Sequence, residues 1–283
     1  MIPSAFEYYR PLSVSDAIRV LVDHGDDARV IAGGHSLIPT MKLRMASIGH
    51  LVDLQAIADL RGITVGDTVR IGAMTTQDEL ITHAGLTEAA PILKEAALQI
   101  ADPQVRYMGT LGGNVANGDP GNDMPGLMLC LDATYALTGP DGSREVKARG
   151  FYQSAYFTER TDTEILTSIS FPRPVGGLAY EKQKRKIGDY ATAAAAVQIS
   201  NAGGKVAAAS VAMTNLSDVP VWSEGAGAAL TGTDCGPEAV QAAVAAMLED
   251  INPSEDSRGP VAFKRHVAGV ILSRAIARAW SRA

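Results

Sequence analysis

The sequence predicts an α+β fold in three consecutive parts, and three observations carry that expectation. Residues 1–54 read as strand, turn, helix and strand, the pattern of a small parallel unit. Residues 55–173 alternate short hairpins with short helices. Pro172-Arg-Pro-Val-Gly-Gly177, stiff and then flexible, sets off a last part, 178–283, with three antiparallel strands and packed helices. At 283 residues the chain is long enough for two or three small domains.

The first helix is expected over 13–24. Ser13 or Ser15 can cap it, Val14, Ala17, Ile18, Leu21 and Val22 keep helical spacing, and Gly25 ends it. Ala28–Ala32 reads as a short buried strand, Leu37–Arg44 as a helix capped by Ser36, and His50–Leu54 as a second strand. A hairpin follows, with Ile63–Val65 and Val69–Ile71 joined through Gly66-Asp67. Helices are expected near 76–83 and 88–100, with Pro91 in a first turn where a missing N–H costs little. A short helix over Met124–Leu131 precedes a hairpin of Thr134–Leu137 and Arg144–Lys147 across Gly139-Pro-Asp-Gly142. Glu164–Phe171 is a strand stopped by Pro172. Beyond the linker, strands are expected near 178–184, 194–200 and 204–213, and helices near 222–230, 236–249 and 260–281. The last helix shows Phe263, Val267, Val270 and Ile271 on one side and Arg274, Arg278 and Arg282 on the other.

A formal charge of −6 argues against a nucleic-acid partner. The two cysteines, Cys130 and Cys235, stand in no metal-binding spacing, so this chain is not expected to hold an iron–sulfur cluster or a zinc ion by itself. The start, Met1-Ile-Pro-Ser-Ala-Phe-Glu7, has neither a basic nor an apolar leader region, and no apolar run reaches membrane-spanning length. The expectation is a cytoplasmic protein without a membrane span.

Two glycine-rich stretches stand out: Ile31-Ala-Gly-Gly-His-Ser36 and Thr110-Leu-Gly-Gly-Asn-Val-Ala-Asn-Gly-Asp-Pro-Gly-Asn-Asp-Met-Pro125. The second reads as a loop too small and polar to bury a core. Adjacent glycines can take positive φ, so their N–H groups can converge into an anion-binding nest. Two nests facing each other suit a pyrophosphate; one alone is more often an ordinary turn. Asn114, Asn117, Asp119, Asn122 and Asp123 suit either a polyhydroxyl chain or turn chemistry, and Asp123 reads equally as a helix cap. His35 could serve as a base or a covalent anchor, but such a residue is more often a local hydrogen-bond donor. Gly225-Ala-Gly-Ala-Ala-Leu230 lacks a third glycine and a leading strand, which excludes a Rossmann site, and no P-loop is present. Lys182, Lys184, Arg185 and Lys186 precede Gly188-Asp189-Tyr190. That basic run reads as a solvated face or as a contact to a cofactor or subunit. Tyr190, before an alanine-rich segment, could pack on another flat ring.

Ala32-Gly-Gly-His-Ser-Leu-Ile-Pro39 and Thr110-Leu-Gly-Gly-Asn114 resemble the two flavin-pyrophosphate loops of the FAD-binding subunits of molybdenum hydroxylases. Asp102-Pro-Gln-Val-Arg-Tyr-Met-Gly109, Gly118-Asp-Pro-Gly-Asn-Asp-Met-Pro125 and Lys184-Arg-Lys-Ile-Gly-Asp-Tyr-Ala-Thr192 are similar to the carbon monoxide dehydrogenase branch of that family, as is the Met-Ile-Pro start. The resemblance covers the whole chain. It implies a vanillyl-alcohol oxidase/PCMH-type FAD-binding fold in two subdomains, 1–54 and 55–173, plus the C-terminal domain. It implies non-covalent FAD between the first two, and no catalytic residue or metal ligand on this chain. Ala32, Gly33, Gly34, His35, Ser36 and Leu37 would hold the pyrophosphate together with Thr110, Leu111, Gly112, Gly113 and Asn114, through N–H groups and the Ser36 and Thr110 hydroxyls. Ala116, Asn117, Asp119 and Asp123 would border the ribityl and ribose region, and Ile165 and Leu166 would line the flavin or adenine. Tyr190 would cover the isoalloxazine, with Lys186 and Asp189 beside it.

The same resemblance implies partners: a small subunit with two [2Fe-2S] clusters, and a large subunit with a molybdenum cofactor and copper. The assembly would be a dimer of heterotrimers at the inner face of the membrane, passing electrons to a quinone-type acceptor. A related N-heterocycle dehydrogenase would use a similar subunit. A self-sufficient flavin oxidase or a nucleotide-binding scaffold are the remaining alternatives.

Overall fold

The computed structural model describes residues 2–283; Met1, the first residue of the Met-Ile-Pro start, lies outside the described residues. The N-terminal sheet has three parallel strands, with His50–Asp53 between Glu7–Tyr9 and Ala28–Ile31. Helix Val14–His24 covers it with Ala17, Ile18 and Leu21. Ser13 Oγ accepts the Asp16 N–H at 3.1 Å, and the Gly25 N–H closes the helix on the Leu21 carbonyl. Val22, expected in the same stripe, is 50% exposed at the edge of the apolar arc. Helix Leu37–Lys42 is shorter than expected because Arg44 turns out at φ 60, and Ser36 makes no side-chain cap bond.

The middle sheet has five strands, all paired antiparallel, in the order Ile63–Val65, Thr68–Gly72, Ile165–Pro172, Thr134–Gly139, Gly142–Lys147. The late strand Ile165–Pro172 is therefore central, joining two hairpins far apart in sequence. Thr76 opens helix Gln77–Thr82 with a capping box to Glu79. The helix expected over 88–100 is two, Ala84–Ala89 and Pro91–Ala97, divided at Ala90. Pro103–Met108 and Leu111–Ala116 form two further short helices. The second corrects the reading of 110–125: Thr110 Oγ1 caps it, and Leu111 and Val115 are fully buried. Helix Asp123–Cys130 is buried on every side.

The C-terminal sheet carries the three expected strands, Gly177–Gln183, Ala193–Ala202 and Lys205–Thr214, and adds a two-residue fourth, Val221–Trp222. Helices Glu224–Leu230, Pro237–Asp250 and Val261–Trp280 cover one face. Ala193, Ala195, Val197 and Ile199 point to those helices, whereas Ala194 and Ala196 join the core of the middle unit. Small side chains let both faces of this strand close. Helix Val261–Trp280 buries Lys264, Ala268, Ile271, Leu272, Ala275, Ile276 and Ala279. Phe263 and Val270, expected on that side, are 46% and 38% exposed. No helix among the described residues is long and apolar enough to cross a membrane.

Candidate functional site

The two glycine-rich stretches meet. A Cβ on Gly33 would stand 2.7 Å from the Gly109 Cα, and one on Gly113 would stand 3.4 Å from the Ala32 Cβ. A Cβ on Gly112 would lie 2.5 Å from that of Ala73 and 2.7 Å from its carbonyl oxygen. These glycines exist for close backbone approach. Of the four in the two Gly-Gly pairs, only Gly34 has positive φ, at 74. That corrects the expectation of two nests.

Donor availability differs between the stretches. Among the described residues, the N–H groups of Gly33, Gly34, His35 and Ser36 donate to no protein acceptor. At the second Gly-Gly pair, residues 111–114, they are taken. Leu111 N–H donates to the Thr75 carbonyl and Gly112 N–H to that of Ala73, both at 2.8 Å, Gly113 N–H to Thr110 Oγ1 at 3.1 Å, and Asn114 N–H to the Thr110 carbonyl at 3.0 Å. The first stretch alone offers an unbroken row of free donors, with Gly33 and Gly34 half-buried and His35 and Ser36 exposed.

Among the described residues, the buried side-chain polar atoms without partners are Asn117 Nδ2, Thr75 Oγ1 and both amide atoms of Gln77, on segments that adjoin the second stretch, and Arg258 Nε and Arg278 Nε in the C-terminal unit. Thr75 and Gln77 lie on the segment that runs beside 109–111, with Gln77 N–H donating to the Gly109 carbonyl at 2.8 Å. Each such atom left unpaired costs about 1–3 kcal/mol, which a polar ligand would recover. Sequence reading missed Thr75 and Gln77, whose one signal is a polar run directly after a buried strand. Donors, a neutral amide and a cradle that a Cβ would fill suit a phosphate-bearing nucleotide.

The other expected site residues divide. Ala32, Leu37 and Ala116 are half-buried, the first beside Gly113, the second against Met41, Ile48 and Leu51, the third on the middle core, and His35 and Ser36 are exposed. Asn114 is a structural pin: its Oδ1 accepts the Met124 N–H at 3.3 Å and its carbonyl accepts Asn122 Nδ2 at 2.8 Å. Asp123 neither caps a helix nor faces an opening. It is buried, with Lys182 Nζ at 2.8 Å and the Tyr180 hydroxyl donating to its other oxygen. Burial, then the Asp123 charge, pushes that hydroxyl well above the ordinary tyrosine range. Ile165 and Leu166 are core residues, the first with Val52, Leu54 and Met74, the second in the middle unit.

Tyr190 crosses from the C-terminal part to the glycine-rich segment. Its hydroxyl donates to Asp119 Oδ2 at 3.2 Å, and its ring lies against Gly121, where a Cβ would stand 2.7 Å from Cδ1. Burial, then the Asp119 charge, raises its hydroxyl pKa. Asp189 pairs with Arg185 at 2.9 Å and with Arg258 at 3.6 Å. Burial would raise its carboxyl, but these partners outweigh burial and lower it. Lys186 is exposed. The basic runs are paired but, apart from Lys182, not buried: Lys182 faces Asp123, Arg278 holds Glu95 at 2.6 Å and Glu181 at 2.8 Å, Arg282 holds Glu95 at 2.7 Å, and Arg185, Lys186, Arg274 and Arg282 stay exposed. The pairs of Asp123 with Lys182 and of Glu95 with Arg278 and Arg282 tie the middle unit to the C-terminal one.

Residues 4–174 match the family model described as the FAD binding domain in molybdopterin dehydrogenase. Residues 178–279 match that of the CO dehydrogenase flavoprotein C-terminal domain. The carbon monoxide dehydrogenase medium chain of Afipia carboxidovorans is 54% identical, over 100% of this chain and 99% of that one. The medium chain of Hydrogenophaga pseudoflava is 45% identical over the same shares. Among solved structures, reconstituted CO dehydrogenase from Oligotropha carboxidovorans aligns at TM-score 0.98 and 55% identity over the full length of both chains. Quinoline 2-oxidoreductase from Pseudomonas putida 86 aligns at 0.95 and 32% identity over 99% of each. The chain therefore belongs to the FAD-binding subunits of the molybdopterin dehydrogenases. Within that class it stands with the medium chains of carbon monoxide dehydrogenase, an oxidoreductase complex.

Proposed function

We propose that this chain is the FAD-carrying electron-transfer subunit of an aerobic carbon monoxide dehydrogenase. It takes electrons from the [2Fe-2S] clusters of a small partner subunit and passes them to an external quinone-type acceptor. Carbon monoxide itself is oxidised on a large subunit holding the molybdenum cofactor and copper. The working assembly is a dimer of heterotrimers in the cytoplasm, at the inner face of the membrane. Residues 1–54 and 55–173 are the two FAD-binding subdomains, and 178–283 the C-terminal domain.

The observation that carries the reading is the open N–H row of Gly33–Ser36, packed against Gly109 near the unpaired Thr75, Gln77 and Asn117. The row would bind a pyrophosphate through hydrogen bonds and N–H dipoles. Asn117 Nδ2, Thr75 Oγ1 and Gln77 supply hydrogen bonds to sugar and ribityl oxygens, and Tyr190 shields the ring system from water. FAD, when bound, supplies a redox centre that takes electrons singly or in pairs and releases them. The protein positions that centre and sets its polarity. Carbon monoxide is favoured over an N-heterocycle by identity: 54% to the Afipia medium chain, 30% to the nicotine 6-hydroxylase medium subunit of Paenarthrobacter nicotinovorans.

The test is a visible spectrum. The purified chain should show flavin absorbance that carbon monoxide leaves unchanged, and the assembled complex should lose that absorbance when the gas is added. Loss of flavin absorbance in the isolated chain would contradict the division of labour. No flavin in a folded chain at saturating FAD would contradict the site.

A further inference from the structure

Beside Tyr190 lies a polar cavity of about 290 Å³, walled on its far side by Asp256, Arg258 and Lys264. Nothing in the flavin reading uses these residues, yet they are tied to the tyrosine loop from both directions. Arg258 reaches out of its own turn to Asp189 at 3.6 Å, and its guanidinium stands 5.5 Å from the centre of the Tyr190 ring. In return, Arg185 leaves the tyrosine loop and donates to the Ser257 carbonyl at 3.0 Å while holding Asp189 at 2.9 Å. The Asp189 carboxylate also accepts the Tyr190 N–H at 2.9 Å, so whatever fixes Asp189 fixes the backbone of the next residue.

The turn that presents Arg258 is itself anchored. Asp256 Oδ1 accepts the Arg258 N–H at 2.7 Å, and its Oδ2 lies 3.2 Å from the Arg258 guanidinium and 2.9 Å from Lys264 Nζ. Lys264 is 2% exposed and also donates to the Ser254 carbonyl at 2.8 Å. An ammonium held this deep by two partners makes a rigid base, because leaving either partner strands a buried charge. The tyrosine loop needs such a base. It is exposed at Lys186 and Ile187, and Gly188 turns at φ 82 against Ala101.

We propose that Arg258 is a positioning residue for Tyr190. It clasps the 185–190 loop to the anchored 254–264 segment and so holds the tyrosine ring against Asp119–Gly121. The consequence for the flavin rests on the reading that Tyr190 covers the isoalloxazine; the clasp itself does not.

The test compares Arg258→Ala and Arg258→Lys in the full-length chain, loaded with FAD, by two measurements. Trypsin cleavage after Lys184, Arg185 or Lys186 reports opening of the loop. Visible circular dichroism of the flavin reports the ring environment, with Tyr190→Ala as reference. Arg258→Ala should be cleaved there roughly tenfold faster or more, and Arg258→Lys should recover much of the protection. The flavin signal of Arg258→Ala should move toward that of Tyr190→Ala. Faster cleavage with a flavin signal that neither Arg258→Ala nor Tyr190→Ala disturbs would support the clasp and overturn the flavin-covering reading. Cleavage at the unaltered rate in a folded Arg258→Ala protein would overturn the positioning role, even if its melting temperature fell. Should Arg258→Ala fail to fold, Asp189→Asn breaks the same clasp from the other side and is held to the same outcomes.

Discussion

Gly33 and Gly109 are in backbone contact: a Cβ on the first would stand 2.7 Å from the Cα of the second, and against the Met108 carbonyl oxygen. The N-terminal and middle units thus close on each other at the point where the open N–H row begins. Gly33→Val and Gly112→Val should each cost about 1–3 kcal/mol through overpacking and should empty the flavin site. The check is flavin absorbance per folded chain after gel filtration. Full flavin content in both folded variants would remove the site from this junction.

The buried pair Asp123–Lys182 has a cost of its own. Lys182→Met should destabilise the chain by about 3–5 kcal/mol, because it leaves a carboxylate uncompensated beside the buried Tyr180. Adding Asp123→Asn should recover a large part of that loss. Denaturant melts of both variants decide it, and additive losses would contradict the coupling.

Glu164 gives a pH dependence with a definite sign. The Arg144 guanidinium, at 2.6 Å, lowers its carboxyl pKa, and the Thr161 N–H at 2.8 Å adds to this against the opposing effect of burial. A carboxyl lowered on folding contributes stability that is fully present above its unfolded pKa of about 4.3. That contribution is lost as pH falls through the folded value. Glu164→Gln should cost about 1 kcal/mol at pH 7, the modest figure reflecting a partly exposed pair. The gap should close in acid. Melting curves over a pH series check this; a gap constant down to the acid limit would contradict it.

No covalent attachment of FAD is expected, since the Gly33–Ser36 row would hold the pyrophosphate by hydrogen bonds and a lone histidine such as His35 is more often a local hydrogen-bond donor. Acid precipitation of the purified protein should leave the flavin in the supernatant. Yellow colour retained in the pellet would refute this.

Local chemistry was legible in the sequence and distant pairing was not. Helix Val14–His24 announced itself through Ser13, Gly25 and its apolar spacing. The hairpin turns did so through glycine. Strand Glu7–Tyr9 is three residues long and exists because His50–Asp53 pairs with it, which nothing near residue 7 declares. Leu111–Ala116 was hidden because glycine is a poor helix former. Only the packing of Gly112 on Ala73 explains why glycine stands there. The same holds for the site. The two Gly-Gly pairs and the Asp119–Tyr190 link lie among residues the sequence singled out, but which stretch keeps free donors depends on Ala73 and Thr75 carbonyls from another segment. Asp123 looked like a ligand contact because its partner Lys182 is remote in sequence.

On the proposed function this chain carries electrons out of the complex without activating the substrate. Carbon monoxide-dependent quinone reduction tests it directly, measured on subunits purified separately and mixed with and without this chain. Reduction should require this chain loaded with FAD, and the chain alone should give none. Undiminished quinone reduction in its absence would contradict it.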